Sequence, residues 1–170
     1  AVAVCRAVES LCDTDCGIKW CNDVVLHGKK LCGILTESSL LPDGSAAWLV
    51  VGIGVNVGQA SFPPDIADMA TSLALQELDV SPDALADAIL AQLTALRTVL
   101  TDPAEWLAEY RRRCVNLGRP VRVLRGNTVR QATALAIDEQ FGLTVQYENG
   151  ETETVRSGEV SVRGLYGYIE

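Results

Sequence analysis

The 170 residues contain only three lysines, Lys19, Lys29 and Lys30, and every other basic side chain is an arginine. A lysine ammonium is a compact point charge, whereas a guanidinium is a planar fork. A short segment that holds all the lysines therefore suits a carboxylate or a phosphate. Lys29 reads more simply as a solubilising charge beside a turn. Lys19 lies in an apolar run next to Trp20, where an unpaired ammonium would be costly. It requires a permanent partner such as Asp23, or a ligand anion. A second constellation is Gly52-Ile53-Gly54-Val55-Asn56. Paired glycines let a ligand approach the backbone closely, and Asn56 offers both a donor and an acceptor. The pattern is common where sheets bend, and the full dinucleotide fingerprint G-x-G-x-x-G is absent.

Other chemistries find less support. His27, the single histidine, falls in a turn and is given no role, which leaves no partner for a hydrolytic triad. The six cysteines, at 5, 12, 16, 21, 32 and 114, include no C-x-x-C pair. A metal site from Cys12, Cys16, Cys21 and Cys32 would need unusually loose spacing, so reduced structural thiols are the better reading. No signal-peptide pattern opens the chain.

The elements that must position these residues follow from periodicity. Ala1, Val4, Cys5, Val8, Leu11 and Cys12 fall at helical spacing, so the chain opens inside an amphipathic helix. Nothing caps that helix, which reads as a piece of a longer protein. Residues 18–26 and 30–37 read as strands joined at His27-Gly28, a two-residue turn in which glycine accepts positive φ. Pro42-Asp43-Gly44-Ser45 is a surface turn, and residues 46–51 read as a buried strand leading into Gly52. Three helices are predicted next. One spans residues 65–78. A second starts at Ser81-Pro82 and carries a stripe of Leu85, Ile89, Leu93, Leu96 and Leu100. The third is opened by Asp102-Pro103-Ala104-Glu105 and stopped at Gly118.

Beyond Gly118 the texture changes to short β runs at 121–124, 129–137, 143–147, 153–156 and 160–163, punctuated by glycine and asparagine. These predict a small barrel. The division into 1–113 and 114–170 is reinforced by charge. Six arginines balance six acids between Arg119 and Arg163, so the excess behind the net charge of −8 lies almost wholly in the first part. Six acids and no bases between Asp65 and Asp87 read as a solvated face.

The whole-chain arithmetic sets bounds. With 48% hydrophobic residues and a mean hydropathy of +0.18, the chain buries a real core and is not disordered. No apolar run approaches the length of a membrane span. A pI near 4.6 argues against binding nucleic acid by charge. A cytoplasmic protein is the expectation.

Taken in order, the motifs resemble those of biotin protein ligases. Ile18-Lys19-Trp20-Cys21-Asn22-Asp23 resembles the family's K-W-P-N-D strand, and Gly28 to Glu37 its G-(R/K)-K-(L/V)-(A/C)-G-I-L-x-E strand. Val51 to Val57 resembles its G-(I/A)-G-(I/V)-N segment, and Gly118-Arg119-Pro120-Val121-Arg122-Val123 the start of its C-terminal domain.

The resemblance implies an α+β fold, a partial class II aminoacyl-tRNA synthetase/biotin ligase-like mixed sheet with helices, followed by an SH3-like β-barrel. It implies ATP-dependent formation of biotinyl-5′-AMP and transfer of biotin to a lysine of a biotin carboxyl carrier protein or carboxylase carrier domain, with ATP and Mg²⁺ required. Lys19 would contact the biotin carboxyl and acyl-phosphate oxygens as the catalytic residue. Trp20, Asn22, Asp23, Gly33, Ile34 and Leu35 would shape the substrate pocket. Lys30, Gly52, Gly54, Val55 and Asn56 would lie near the nucleotide. No protein metal ligands are implied. A homodimer through a sheet edge follows from the same likeness, with no membrane or nucleic-acid partner.

Two departures stand out. Cys21 replaces proline, restoring an N–H and freeing φ. The family's G-R-G-R-x-G loop, which covers the adenylate, is not in this sequence, so a chain weak or inactive by itself is expected. A lipoate-type ligase has a related fold, although the K-W-x-N-D and G-I-G-V-N motifs point to biotin. The non-enzyme alternative is a carrier-docking or assembly module.

Overall fold

The computed structural model describes residues 1–97, 103–156 and 161–164. Helix α1 (Val2–Leu11) buries Val4, Cys5, Ala7 and Val8 at the centre of the core. Strands β1 (Gly17–Lys19), β2 (Asp23–Leu26), β3 (Lys29–Leu40) and β4 (Ala46–Val55) form an antiparallel sheet in sequence order. Helices α2 (Pro82–Arg97) and α3 (Ala104–Arg113) follow. A second sheet of β5 (Pro120–Arg125), β6 (Thr128–Ile137), β7 (Leu143–Tyr147), β8 (Thr152–Val155) and β9 (Ser161–Gly164) has the order β8-β7-β6-β5-β9.

The two-residue turn is present as expected. His27 and Gly28 both have positive φ, 48° and 78°, and Leu26 pairs with Lys29. That left-handed pair matches the twist of a tight hairpin. α2 starts at Pro82, with Leu85 and Ile89 buried. Leu100 of its stripe and Asp102 of the α3 capping signature lie outside the described residues, as does Val160 of the last β run.

Several expectations are corrected. Residues 18–26 are not one strand. The corner Trp20-Cys21-Asn22, with a cis peptide between Trp20 and Cys21, folds β1 back on β2 so that Lys19 pairs with Asp23. Residues 65–78 are turns and a short 3₁₀ segment, Ala74–Gln76, rather than a helix. Local bonds such as Ala70 N–H to Ile66 O (2.9 Å) close single turns, but other amides bond to distant parts of the chain. Thr71 N–H donates to Lys30 O (2.9 Å), Leu73 N–H to Asn56 O (3.0 Å) and Ala74 N–H to Val57 O (2.9 Å). α3 ends at Arg113, and turns fill the stretch before Gly118.

The strand expected at 46–51 extends to Val55, and its first half is exposed, not buried. The first sheet was expected to be mixed but is antiparallel throughout. Parallel pairing among the described residues is confined to isolated bridges, Ile18 with Cys114 and Lys30 with Ala70. The second sheet is open among the described residues: β8 and β9 are its two edges, and no pairing closes the expected barrel.

Candidate functional site

The corner at Trp20–Asn22 assembles the site. On a continuous strand, Lys19 and Asp23 would stand about 13 Å apart. Folded back, they are cross-strand partners, and Asp23 also faces Gly33 on β3. Lys19 is buried, 8% exposed, with Nζ 3.9 Å from Asp23 Oδ2, and Lys30 Nζ lies 2.6 Å from Asp23 Oδ1. One carboxylate thus stands between two ammonium groups. Desolvation of Lys19 makes such a charge a stronger attractor than a surface lysine.

Asn22 is tied to β3 in both directions. Its Nδ2 donates to Ile34 O, and Ile34 N–H donates to Asn22 O (3.2 Å). Gly33 faces Gly54, and Leu35 faces Gly52 across the β3–β4 pair. Added Cβ atoms at Gly52 and Gly54 would have only the backbone oxygens of Leu35 (3.7 Å) and Gly33 (3.8 Å) within 4 Å. The result is an open groove of about 500 Å³ along the sheet. It brings together the predicted residues Asn22, Asp23, Lys30, Gly33, Ile34, Leu35, Gly52 and Gly54, and adds Ile53.

Four predicted residues do not line this groove. Lys19 lies beneath it, connected through Asp23. Trp20 is buried at the junction with the second sheet, where its indole N–H donates to Phe141 O (2.9 Å). Val55 packs against the core. Asn56 faces the segment after the turns, its Nδ2 donating to Thr71 O (3.0 Å). These contacts give Trp20 and Asn56 supporting positions rather than groove-facing ones.

The supporting groups were not found by sequence reasoning. Tyr110 Oη donates to Cys21 O (2.9 Å), and Asn116 Oδ1 accepts from Trp20 N–H (2.7 Å). Burial pushes the Tyr110 hydroxyl above its ordinary value, so it stays protonated as a donor. Tyr110 is legible in sequence only as part of an apolar helix face, and Asn116 only as a polar residue before Gly118. Burial likewise pushes the Cys32 thiol, on β3, up to about 11, so it is an inert packed thiol. The donor set does not fit a resident metal. Among the described residues no three His, Cys, Asp or Glu side chains are gathered for an ion.

Two family models match this chain. That of the Biotin/lipoate A/B protein ligase family covers residues 1–56, and that of the Biotin protein ligase C terminal domain covers residues 117–163. The chain belongs to the biotin protein ligase family. The biotin–[acetyl-CoA-carboxylase] ligase of Mycobacterium tuberculosis is 36% identical over 150 residues, covering 85% of this chain and 52% of that protein. The bifunctional ligase/repressor BirA of Escherichia coli is 30% identical over 152 residues, 86% of this chain and 46% of the relative. This biotin protein ligase relative thus spans about half the length of such curated proteins. The apo structure of the Aquifex aeolicus biotin protein ligase superposes with a TM-score of 0.82 at 27% identity, covering 96% of this chain and 72% of that one. The same enzyme in complex with biotin and ATP gives 0.80 at 26% identity, with 96% and 68% covered. No helix among the described residues is long and apolar enough to cross a membrane.

Proposed function

We propose that this chain carries the lysine-bearing half of a biotin protein ligase site, serving ATP-dependent formation of biotinyl-5′-AMP and transfer of biotin to a lysine of a carboxylase carrier domain in the cytoplasm. The observation that supports the reading most directly is the Lys19–Asp23–Lys30 cluster beneath a glycine-opened groove. Adenylation puts negative charge on the oxygens between the biotin carboxyl and the α-phosphate. A buried ammonium offers fixed stabilisation to that charge without solvent reorganisation. Lys19 is the group for this role, with Asp23 holding it in place. Lys30, more exposed, is suited to phosphate oxygens. Gly52 and Gly54 let the nucleotide lie against the backbone of β4.

Mg²⁺ would arrive on the phosphates of ATP, because Asp23, the carboxylate of the groove, is engaged by Lys19 and Lys30. The second sheet, read as an SH3-like domain from residue 114 onward, would complete the fold behind the site. Match of its residues 117–163 to the biotin-specific C-terminal model favours biotin over lipoate as the acid. A homodimer would form through the exposed edge of β4.

Calorimetric titration with the non-hydrolysable sulfamoyl analogue of biotinyl-adenylate tests the reading. Saturable binding is expected, weakened in Lys19→Ala by about 1–3 kcal/mol, the scale of a lost charge-assisted hydrogen bond. Binding to a carrier domain that is indifferent to Lys19→Ala, with no binding of the analogue, would replace the ligase reading with a docking module.

A further inference from the structure

β1 has two edges, and they are held by different parts of the chain. On one edge Lys19 pairs with Asp23 of β2. On the other, Ile18 forms a parallel bridge with Cys114, and Val115 N–H donates to Ile18 O (2.9 Å). The next available group on that edge, Trp20 N–H, donates to Asn116 Oδ1 at 2.7 Å. The two backbone groups that flank Lys19 are therefore both bonded to residues 115–116, the link that enters the second sheet. Asn116 is 5% exposed, so water does not compete for its oxygen. Its own backbone is fixed in a turn, with Arg119 N–H donating to Asn116 O (3.1 Å).

The corner that turns the chain from Lys19 toward Asp23 is gripped from the same side. Trp20 Nε1 donates to Phe141 O, Tyr110 Oη donates to Cys21 O, and the Tyr110 and Phe141 rings meet edge to face at 5.3 Å. A buried side-chain acceptor 96 residues away in sequence is an expensive way to satisfy one amide, because it must itself be ordered and desolvated. Turn geometry alone does not require it.

We propose that Asn116 is a positioning residue for Lys19: through the Trp20 amide it fixes the backbone from which the ammonium reaches the acyl-phosphate, so that the second sheet sets the geometry of a site it does not line. This rests on the role given to Lys19 above. Removing the acceptor leaves Trp20 N–H buried and unpaired, and the chain then relaxes at the residue beside Lys19. A displacement well under an ångström is enough to weaken a charge-assisted contact.

The experiment is a double-mutant cycle on the full chain, with the sulfamoyl analogue of biotinyl-adenylate as probe and calorimetry as readout. Asn116→Ala is expected to weaken binding about tenfold when Lys19 is present, and less than twofold when Lys19 is already alanine, since coupled groups are not additive. Asn116→Asp, which keeps an oxygen at the same reach, should recover most of the loss. Equal losses in both backgrounds would make Asn116 merely structural and overturn the proposal. Lys19→Ala that binds as tightly as the parent refutes the ligase reading and this inference with it. A weakened Lys19→Ala beside an unchanged Asn116→Ala refutes the positioning role alone. Circular dichroism and the unfolding midpoint check each variant. Where Asn116→Ala does not fold, Asn116→Gln, which moves the oxygen by one methylene, is read against the same outcomes.

Discussion

One missing methyl group at Gly33 decides where Lys30 can stand. A Cβ there would lie 3.1 Å from both Cε and Nζ of Lys30 and 3.6 Å from Asp23 Oδ1. The lysine end is flexible, so it would move aside rather than break the sheet. Gly33→Ala should therefore unfold within about 1 kcal/mol of the parent, yet bind the adenylate analogue about three- to tenfold more weakly, because the Lys30–Asp23 contact is displaced. A variant that binds normally although its Lys30 amine resonance has shifted would remove Lys30 from the site. At this scale much was legible in the sequence. The unusual placement of all three lysines, the demand of Lys19 for a partner and the glycine pair were readable from chemistry alone. The reason for Gly33 was not, since it depends on a register that sets Asp23 opposite Gly33 and folds Lys30 over both. Neither was the role of Asn116, a polar residue whose partner lies 96 positions away.

At the scale of elements, α1 and α3 are joined by alternating charges that no periodicity announces. Arg113 reaches Glu9 of α1 at 2.5 Å and Glu109 of its own helix at 2.7 Å, while Arg6 contacts Glu109 and Glu105. Arg113 also donates to Cys16 O (3.1 Å), and Cys16 N–H donates to Glu9. The network closes α3 against the loop that leads into β1, immediately before the link that carries Asn116. Burial, the largest influence, pushes the Glu9 carboxyl up, but the Arg113 and Cys16 hydrogen bonds outweigh it, and the carboxyl ends below its ordinary 4.5. Glu109 is lowered in the same way by Arg6 and Arg113 against the burial that raises it. A carboxyl lowered on folding contributes stability above its ordinary value and loses it as pH falls through the lowered one. Unfolding free energy should therefore decline as pH falls from about 4.5, and less steeply in Glu9→Gln. Arg113→Ala leaves the partly buried Glu9 carboxylate without its cation and Glu109 with only Arg6 and Arg112, so chemical denaturation should show a loss of about 2–3 kcal/mol. A pH profile identical in Glu9→Gln and the parent would contradict this account. Helices α1 and α2 were readable from their apolar stripes, and α3 from the Asp102-Pro103-Ala104-Glu105 signature. Residues 65–78 were misread because the amides of Thr71, Leu73 and Ala74 find partners on β3 and after β4, which only tertiary structure supplies.

For the whole molecule, the second sheet starts at Pro120, just after the change of texture at Gly118, but the reach of the β3–β4 ribbon was hidden. Alternation and β-branching describe a strand without saying what covers it, and residues 46–51 read as buried for that reason. In the structure Leu35, Trp48, Leu49 and Val50 are 64%, 53%, 60% and 55% exposed, and β4 is the outer strand of its sheet. An exposed apolar edge with unsatisfied backbone groups is a template for another strand. The chain by itself should therefore associate with concentration, as sedimentation equilibrium would record. Val50 lies directly opposite Glu37 on β3, so Val50→Lys places a cation beside a carboxylate within the ribbon while charging its outer edge. The cross-strand pair supports the hairpin, and stability should stay within about 0.5–1 kcal/mol of the parent. The like charges brought together by edge-to-edge pairing should weaken association by about tenfold or more, an effect that fades as salt is raised. Association that is unaltered by Val50→Lys would mean that copies meet elsewhere, and that the apolar ribbon belongs against a different surface than a second β4.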